Sequence, residues 1–315
     1  RLAAAFGFLE EQVQAGRIRW YGVSSNTCTR PARDPEATSL TRMLEAARQG
    51  AGASHHFRVL ELPLNLFESG AVLERNEDGE RTVLEVASAS GIGVLVNRPL
   101  NAMVDDGLAR LASVVVPPRQ VELGPQMSVL AGLEEEYRTA IAAHLESAEG
   151  SVPASDLFRW STELTSLAAQ VQNLEHWDAL ESQRIVPRLA QTLQALDRHL
   201  AEGALADAWR AWRPRYVPEV QKALAEMRRL AAEKSAAMLT AAAGALDPGL
   251  PPERRAEPLS RKALWVVAST PGVASVLVGM RHPAYVRDAV AVLDWPPLED
   301  AAAAYRAIRD RPGPS

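Results

Sequence analysis

Apolar positions along this chain follow two rhythms. Over residues 1–100 and again over 259–315, short apolar runs alternate with amphipathic stretches. Leu2–Gln14 predicts a helix that Gly16 stops, and Ile18–Ser24 predicts a short strand. Asp34-Pro35-Glu36 has the form of a helix start, a capping carboxylate followed by proline at the first helical position. The helix it opens is expected to run through Met43, Leu44 and Ala47 to Gly50. Phe57–Leu62 predicts a second strand, Thr82–Ala89 a helix, and Gly93–Asn97 a third strand. The third is apolar on consecutive positions, as a parallel strand buried on both faces would be. Near the end, Leu259–Ser269 predicts a helix, Ser275–Gly279 a strand, Pro283–Leu293 a helix, and Leu298–Ile308 a closing helix. Such alternation implies parallel strands covered by helices. Four of them make half of an eight-stranded barrel.

The second rhythm runs from Pro125 to Ala243, where apolar residues recur at helical spacing. Leu130, Leu133, Tyr137, Ile141 and Leu145 make one face, and Leu164 through Leu180 a second. Ile185, Leu189, Leu193, Leu196 and Leu200 make a third, and Val220, Leu224 and Met227 begin a fourth. Pro187 is expected to kink or separate the second and third faces, because proline within a helix loses a hydrogen bond and clashes with the preceding turn. Asp247-Pro248-Gly249 and Pro251-Pro252 form a breaker. The expected fold class is therefore α/β: a partial (β/α)8 barrel carrying strands five to eight, with an inserted all-helical domain. Residues 1–100 would hold three strand–helix units, 101–258 the insertion, and 259–315 the last unit and tail. The chain opens at Arg1 inside a helical pattern, without an initiating Met or the apolar core of a signal peptide, which reads as a fragment.

Composition narrows the classes. With 47% hydrophobic and 23% charged residues the chain is folded and globular by its make-up. Thirty-four basic against 39 acidic residues leave a net charge of -5, which gives no general attraction to nucleic acid or anionic membrane. One cysteine, Cys28, makes neither an internal disulfide nor a metal cluster, and a reducing cytoplasm is the expected compartment. No apolar run approaches the roughly 20 residues that span a bilayer. Gly-rich phosphate loops, H-E-x-x-H and G-x-S-x-G are all absent from the sequence. The adjacent His55-His56 lacks ligand spacing and reads as loop before the second strand. Trp209, Arg210, Trp212, Arg213, Arg215 and Tyr216 interleave rings and cations as single-strand nucleic-acid surfaces do. Neighbouring acids dilute that patch, and the expectation is rings anchoring one helix to its neighbours. Met227-Arg228-Arg229 reads as a solvated helix face.

Four stretches in order carry a family resemblance. Gly16-Arg17-Ile18-Arg19-Trp20-Tyr21-Gly22-Val23-Ser24-Ser25-Asn26 resembles the fifth strand of the aldo-keto reductases, G-K-I-R-x-x-G-V-S-N. Leu60-Glu61-Leu62-Pro63-Leu64-Asn65-Leu66 is similar to their sixth, V-Q-x-x-Y-N-L. Gly91 to Leu100 looks like the seventh, G-I-G-V-x-A-Y-S-P-L, and Pro271 to Arg281 like the eighth, P-x-V-x-x-x-I-P-G-x-R. The resemblance implies a nicotinamide dinucleotide, NAD or NADP, lying across the C-terminal ends of the strands, where barrel active sites sit. It implies hydride exchange with a small-molecule aldehyde or ketone. Carried over, Ser24, Ser25 and Asn26 would bind the nicotinamide carboxamide, which needs both a donor and an acceptor.

Departures from the pattern touch several implied contacts. Glu61 stands where the family has glutamine and can accept from the carboxamide or pair with Arg98. Asn97 stands where a ring usually stacks on the nicotinamide. Gly279, Met280 and Tyr285 replace polar residues of NADP-preferring members, leaving Arg281 as the cation for a phosphate. The family's catalytic Asp, Tyr, Lys and His belong to earlier strands, expected upstream of Arg1. The helical block, following the seventh strand, would serve as a substrate lid or an oligomer contact. The alternative is a non-catalytic dinucleotide-binding barrel acting as sensor or scaffold.

Overall fold

The computed structural model describes residues 1–104, 107–145 and 152–311. In chain order the elements are α1 (Leu2–Gln14), β1 (Tyr21–Ser24), α2 (Leu40–Ala51), β2 (Phe57–Pro63), α3 (Gly70–Leu73), α4 (Val83–Ala89), β3 (Gly93–Asn97), β4 (Asn101–Val104) and β5 (Gly107–Arg110). There follow α5 (Leu123–Ala140), α6 (Trp160–Gln170), α7 (Leu174–Leu180), α8 (Val186–His199) and α9 (Ala206–Leu246). The chain ends with α10 (Leu259–Ala268), β6 (Val273–Val276), α11 (Pro283–Val290) and α12 (Ala301–Arg309). Two compact units result, Arg1–Ser113 with Met238–Ser315, and Val114–Ala237. Among the described residues no helix is long and apolar enough to cross a membrane.

The first unit is α/β. Its sheet has four strands in the order β1-β2-β3-β6, each pair parallel. Gly22 is required where β1 meets β2, because a Cβ there would lie 2.6 Å from the Val59 carbonyl oxygen. Contrary to the expectation from its apolar run, β3 is not covered on both sides. Val94 and Val96 are buried while Gly93, Leu95 and Asn97 are half-buried, so only one face of the strand is fully packed. The β4–β5 hairpin, antiparallel and set directly after β3, was not expected from the sequence.

Several boundaries differ from the sequence reading: α11 ends at Val290 and not Leu293, and α12 begins at Ala301 and not Leu298. Shifts also occur at α2, β1 and β6. Asp34 does not start α2; its carboxylate accepts from Glu36 N–H at 2.8 Å, closing a local turn. Ser39 is the N-cap, accepting from Arg42 N–H, and the distant Glu77 supplies the rest. Fully buried, Glu77 accepts from Leu40 N–H (2.6 Å), Thr41 N–H (3.0 Å) and Ser39 Oγ–H (2.8 Å), satisfying donors that every helix start leaves over. β1 begins only at Tyr21, where pairing with Phe57 begins. β6 lies earlier than expected, at Val273–Val276, although Leu277 N–H still bonds Val96 O at 2.8 Å.

Among the described residues the regular elements of the second unit are all helices, and they have their own core. Tyr137, Phe158, Trp209, Trp212 and Tyr216 pack ring against ring, with Trp212 and Tyr216 stacked at 4.4 Å between centroids. The face expected to run unbroken from Leu164 to Leu180 is split, since α6 ends at Gln170 and Asn173 caps α7 by accepting from His176 N–H at 2.8 Å. Pro187 does not break the chain there. A π-helical turn over Glu181–Ile185 joins α7 to α8 and takes up the proline near the start of α8. α9 begins at Ala206, well before the expected fourth face, with Pro214 and Pro218 inside it.

Candidate functional site

Because all four strands run the same way, their C-terminal ends form one edge. Ser24 ends β1 and Ser25-Asn26 follow it; Glu61 lies near the end of β2; Asn97 ends β3 and Arg98 follows; Gly279, Met280 and Arg281 follow β6. Strand register goes further, aligning Ser24 with Glu61, Glu61 with Leu95, and Leu95 with Ser275. This row crosses the whole sheet, one residue on from the buried Leu60–Val94 pairing and hence on the opposite face of the sheet. Ser24 and Ser275 are exposed, and Glu61 and Leu95 half-buried.

Two of the site residues bond each other. Asn97 Nδ2–H donates to Glu61 Oε1 at 2.9 Å, so the glutamate's partner is Asn97 and not Arg98, which pairs instead with Glu68 at 2.7 Å. The reason is geometric: Glu61 and Asn97 lie on the same sheet face of adjacent strands, whereas Arg98 has left the strand with φ 52°. Asn97 Oδ1 and Arg98 Nε are buried without a hydrogen-bond partner among the described residues. Ser25 is tied down at both ends, its N–H donating to Glu61 O (2.9 Å) and its hydroxyl sharing a 2.7 Å hydrogen bond with Thr38. Asn26, Gly279, Met280 and Arg281 are exposed. Arg281 has no partner among the described residues, and Asp288, in α11, is held by Arg261 (2.7 Å) and Ser260 (2.6 Å).

Sequence reasoning missed the residues that build the edge. Asn65 is fully buried and uses all its hydrogen-bonding capacity: Oδ1 accepts from Phe67 N–H and Glu68 N–H, while Nδ2 donates to Glu68 Oε2 and Arg98 O. An asparagine three residues before a glutamate, just past a strand, is the signal that was present. The opposite ends of the strands hold a different cluster. Buried Glu10 accepts from Tyr21 O–H (2.8 Å) and His56 N–H (2.6 Å) and meets His56 Nδ1 at 2.8 Å. His55 is buried beside it, its ring held below the ordinary histidine pKa by burial and then by Arg58 and Arg48. The histidine pair lies in the loop before β2, as expected, with His55 buried and His56 held by Glu10.

The chemistry open to this edge is hydrogen bonding and anion recognition. Tyr21, Tyr137, Tyr216 and Tyr305 are all raised above the usual tyrosine pKa, chiefly by burial, with Tyr137 pushed up to about 12. A proton donor for carbonyl reduction needs the opposite shift. Burial likewise pushes the Cys28 thiol up to about 12, which makes it a poor nucleophile. Among the described residues no group of three or more His, Cys, Asp or Glu side chains is arranged to hold a metal ion. No protein-family profile, curated protein or solved structure matches this chain.

Proposed function

We propose that this chain binds a nicotinamide dinucleotide, NAD or NADP, as the cofactor-holding part of an aldo-keto-reductase-type oxidoreductase acting on aldehydes, ketones or the matching alcohols. On this reading its sheet is strands five to eight of a barrel and residues 101–258 are a helical insertion. The observation that carries it is the parallel sheet, whose polarity gathers Ser24–Asn26, Glu61, Asn97–Arg98 and Gly279–Arg281 along one edge. The bound cofactor would supply the hydride. Ser24, Ser25 and Asn26 offer donors and acceptors suited to a carboxamide, and ionised Glu61 accepts an N–H. Arg281, exposed and without a partner among the described residues, is the cation for a phosphate; it lies just before α11, whose N-terminus favours negative charge. The proton-donating tyrosine belongs to strands outside this sheet.

Titration of NADPH and NADH by fluorescence against wild type and Arg281→Ala tests the reading. A charge-assisted hydrogen bond is worth about 1.5–3 kcal/mol, so the variant should bind roughly tenfold to a hundredfold more weakly. Unchanged affinity removes the phosphate role, and a loss for NADPH alone assigns Arg281 to the 2′-phosphate. A second reading, a dinucleotide-binding scaffold without catalysis, draws on the Asn97–Glu61 hydrogen bond, which engages both departures from the family pattern with each other. Carbonyl-dependent oxidation of NADPH by the protein joined to an intact Asp, Tyr, Lys and His set separates the two.

A further inference from the structure

Arg98 is one of two non-glycine residues with positive φ among those described; the other, Asp78, sits in a tight turn. A long side chain in that backbone region is strained and persists only where its surroundings hold it. Two donors to Arg98 O hold it, Asn101 N–H at 3.1 Å, which closes the turn, and Asn65 Nδ2–H at 3.2 Å. Asn65 also fixes Glu68: Oε2 of Glu68 accepts from Asn65 Nδ2 (2.8 Å) and from Met103 N–H (3.0 Å), leaving only Oε1 to face Arg98. The resulting ion pair is single-pronged, Nη2 to Oε1 at 2.7 Å. Arg98 Nε–H is buried and has no acceptor among the described residues. A second guanidinium, Arg311, lies 4.4 Å over the ring of Phe67 in the loop after β2, its Nη1 buried without a hydrogen-bond partner among the described residues.

We propose that Arg98 is an anion-recognising residue of this edge, and that Glu68 is a resident counter-charge which an incoming phosphate displaces. The chemistry favours the exchange. Guanidinium binds an oxyanion best through two parallel N–H bonds, and Glu68, with one oxygen committed to Asn65 and Met103, offers one. A phosphate group reaching Arg98 takes Nη2 and the idle Nε together. Glu68 thus opposes ligand binding while keeping the guanidinium in place. The identity of the anion as a dinucleotide phosphate rests on the function proposed above; the exchange itself does not.

Inorganic pyrophosphate and NADPH are the probes, each titrated by calorimetry into wild type, Glu68→Gln and Arg98→Gln. Glu68→Gln keeps an oxygen for Asn65 and Met103 but removes the competing charge, so both probes should bind about threefold to tenfold more tightly. Arg98→Gln should weaken both by about tenfold, and in the double variant the gain from Glu68→Gln should vanish. Pyrophosphate following this pattern while NADPH does not bind would keep the anion site and remove the dinucleotide. Unchanged or weaker binding by Glu68→Gln would make the pair a structural tie and overturn the proposal. If either variant fails to fold, the Arg98 Nε–H resonance of the 15N-labelled wild type decides, since pyrophosphate must shift it; a resonance that stays put overturns the exchange as well.

Discussion

The two units treat arginine differently. In the helical unit the cations that the sequence interleaves with rings are each paired: Arg210 with Asp207, Arg213 with Asp197, and Arg215 with both oxygens of Glu136; Arg229, expected on a solvated face, is instead buried and held by Glu226 and Glu233. The rings between them, Trp209, Trp212 and Tyr216, face inward and are buried. At the strand ends of the α/β unit, Arg98 is half-matched and Arg281 has no partner among the described residues. A self-satisfied polar surface has little left for a ligand, whereas spare donors beside a rigid sheet are what recognition uses. The units also share a device. Glu134, 3% exposed, accepts from Ser161 N–H (3.0 Å), the Ser161 hydroxyl and Tyr216 O–H (2.9 Å), capping α6 much as Glu77 caps α2.

The contrast can be broken most directly at Trp212. Its ring stacks on Tyr216 and Trp209, and its Nε1–H donates to Leu133 O at 2.7 Å. Trp212→Ala should cost about 3–5 kcal/mol. Urea unfolding followed by far-ultraviolet circular dichroism should show the loss in the helical transition; an equal loss in the α/β unit would mean that the two do not keep separate cores. Glu77→Ala and Glu134→Ala come next, at roughly 2–3 kcal/mol each, because each leaves helix-start N–H groups without acceptors. A loss in one variant only, by thermal melting, would show that the shared device is shared in geometry alone.

A smaller effect concerns pH and separates the two ends of the sheet. Burial raises the Glu10 pKa, but hydrogen bonds from His56 and Tyr21 outweigh it, and the net shift is downward from 4.5. A carboxylate lowered on folding adds stability above its unfolded pKa, and that stability is lost as pH falls through the folded value. Melting temperature should thus drop below about pH 4.5, and Glu10→Gln should flatten that part of the profile; an unchanged profile would clear Glu10 of the role. The smallest change is expected for Arg215→Ala. Although bidentate, its pair with Glu136 is exposed, and the melting temperature should stay within about 1 °C of wild type. A clear drop would mean that this surface pair stabilises the unit.

The α/β character of the first unit was readable from alternation, and the helices of the second from spacing, because both periods are local. β3 was predicted at its observed bounds, Gly93–Asn97, from a run of consecutive apolar positions. α2 was misplaced because Asp34-Pro35 satisfies a local helix-start rule equally well as a turn, and Glu77, whose two helix-start N–H bonds decide the matter, is 36 and 37 residues away. The π-helical turn at Glu181–Ile185 was equally unreadable, since Pro187 reports a lost donor and not how the chain absorbs it.

The candidate site divides the same way. Ser24–Asn26, Glu61, Asn97–Arg98 and Arg281 could be named from sequence because each lies at or near the end of an apolar run, where a parallel strand must stop. The sequence by itself determined which residue types stand at those ends, and that rings recurring every three or four positions would form a helical core. Only the tertiary structure decided who meets whom: that Glu61 bonds Asn97, that Glu68 holds Arg98, and that Asn65 joins both loops. Periodicity encodes which face a side chain shows, and that is a property of a few neighbouring residues. Partnership depends on strand order and register, which bring residues 30 or more positions apart within hydrogen-bond reach, and no local pattern contains it.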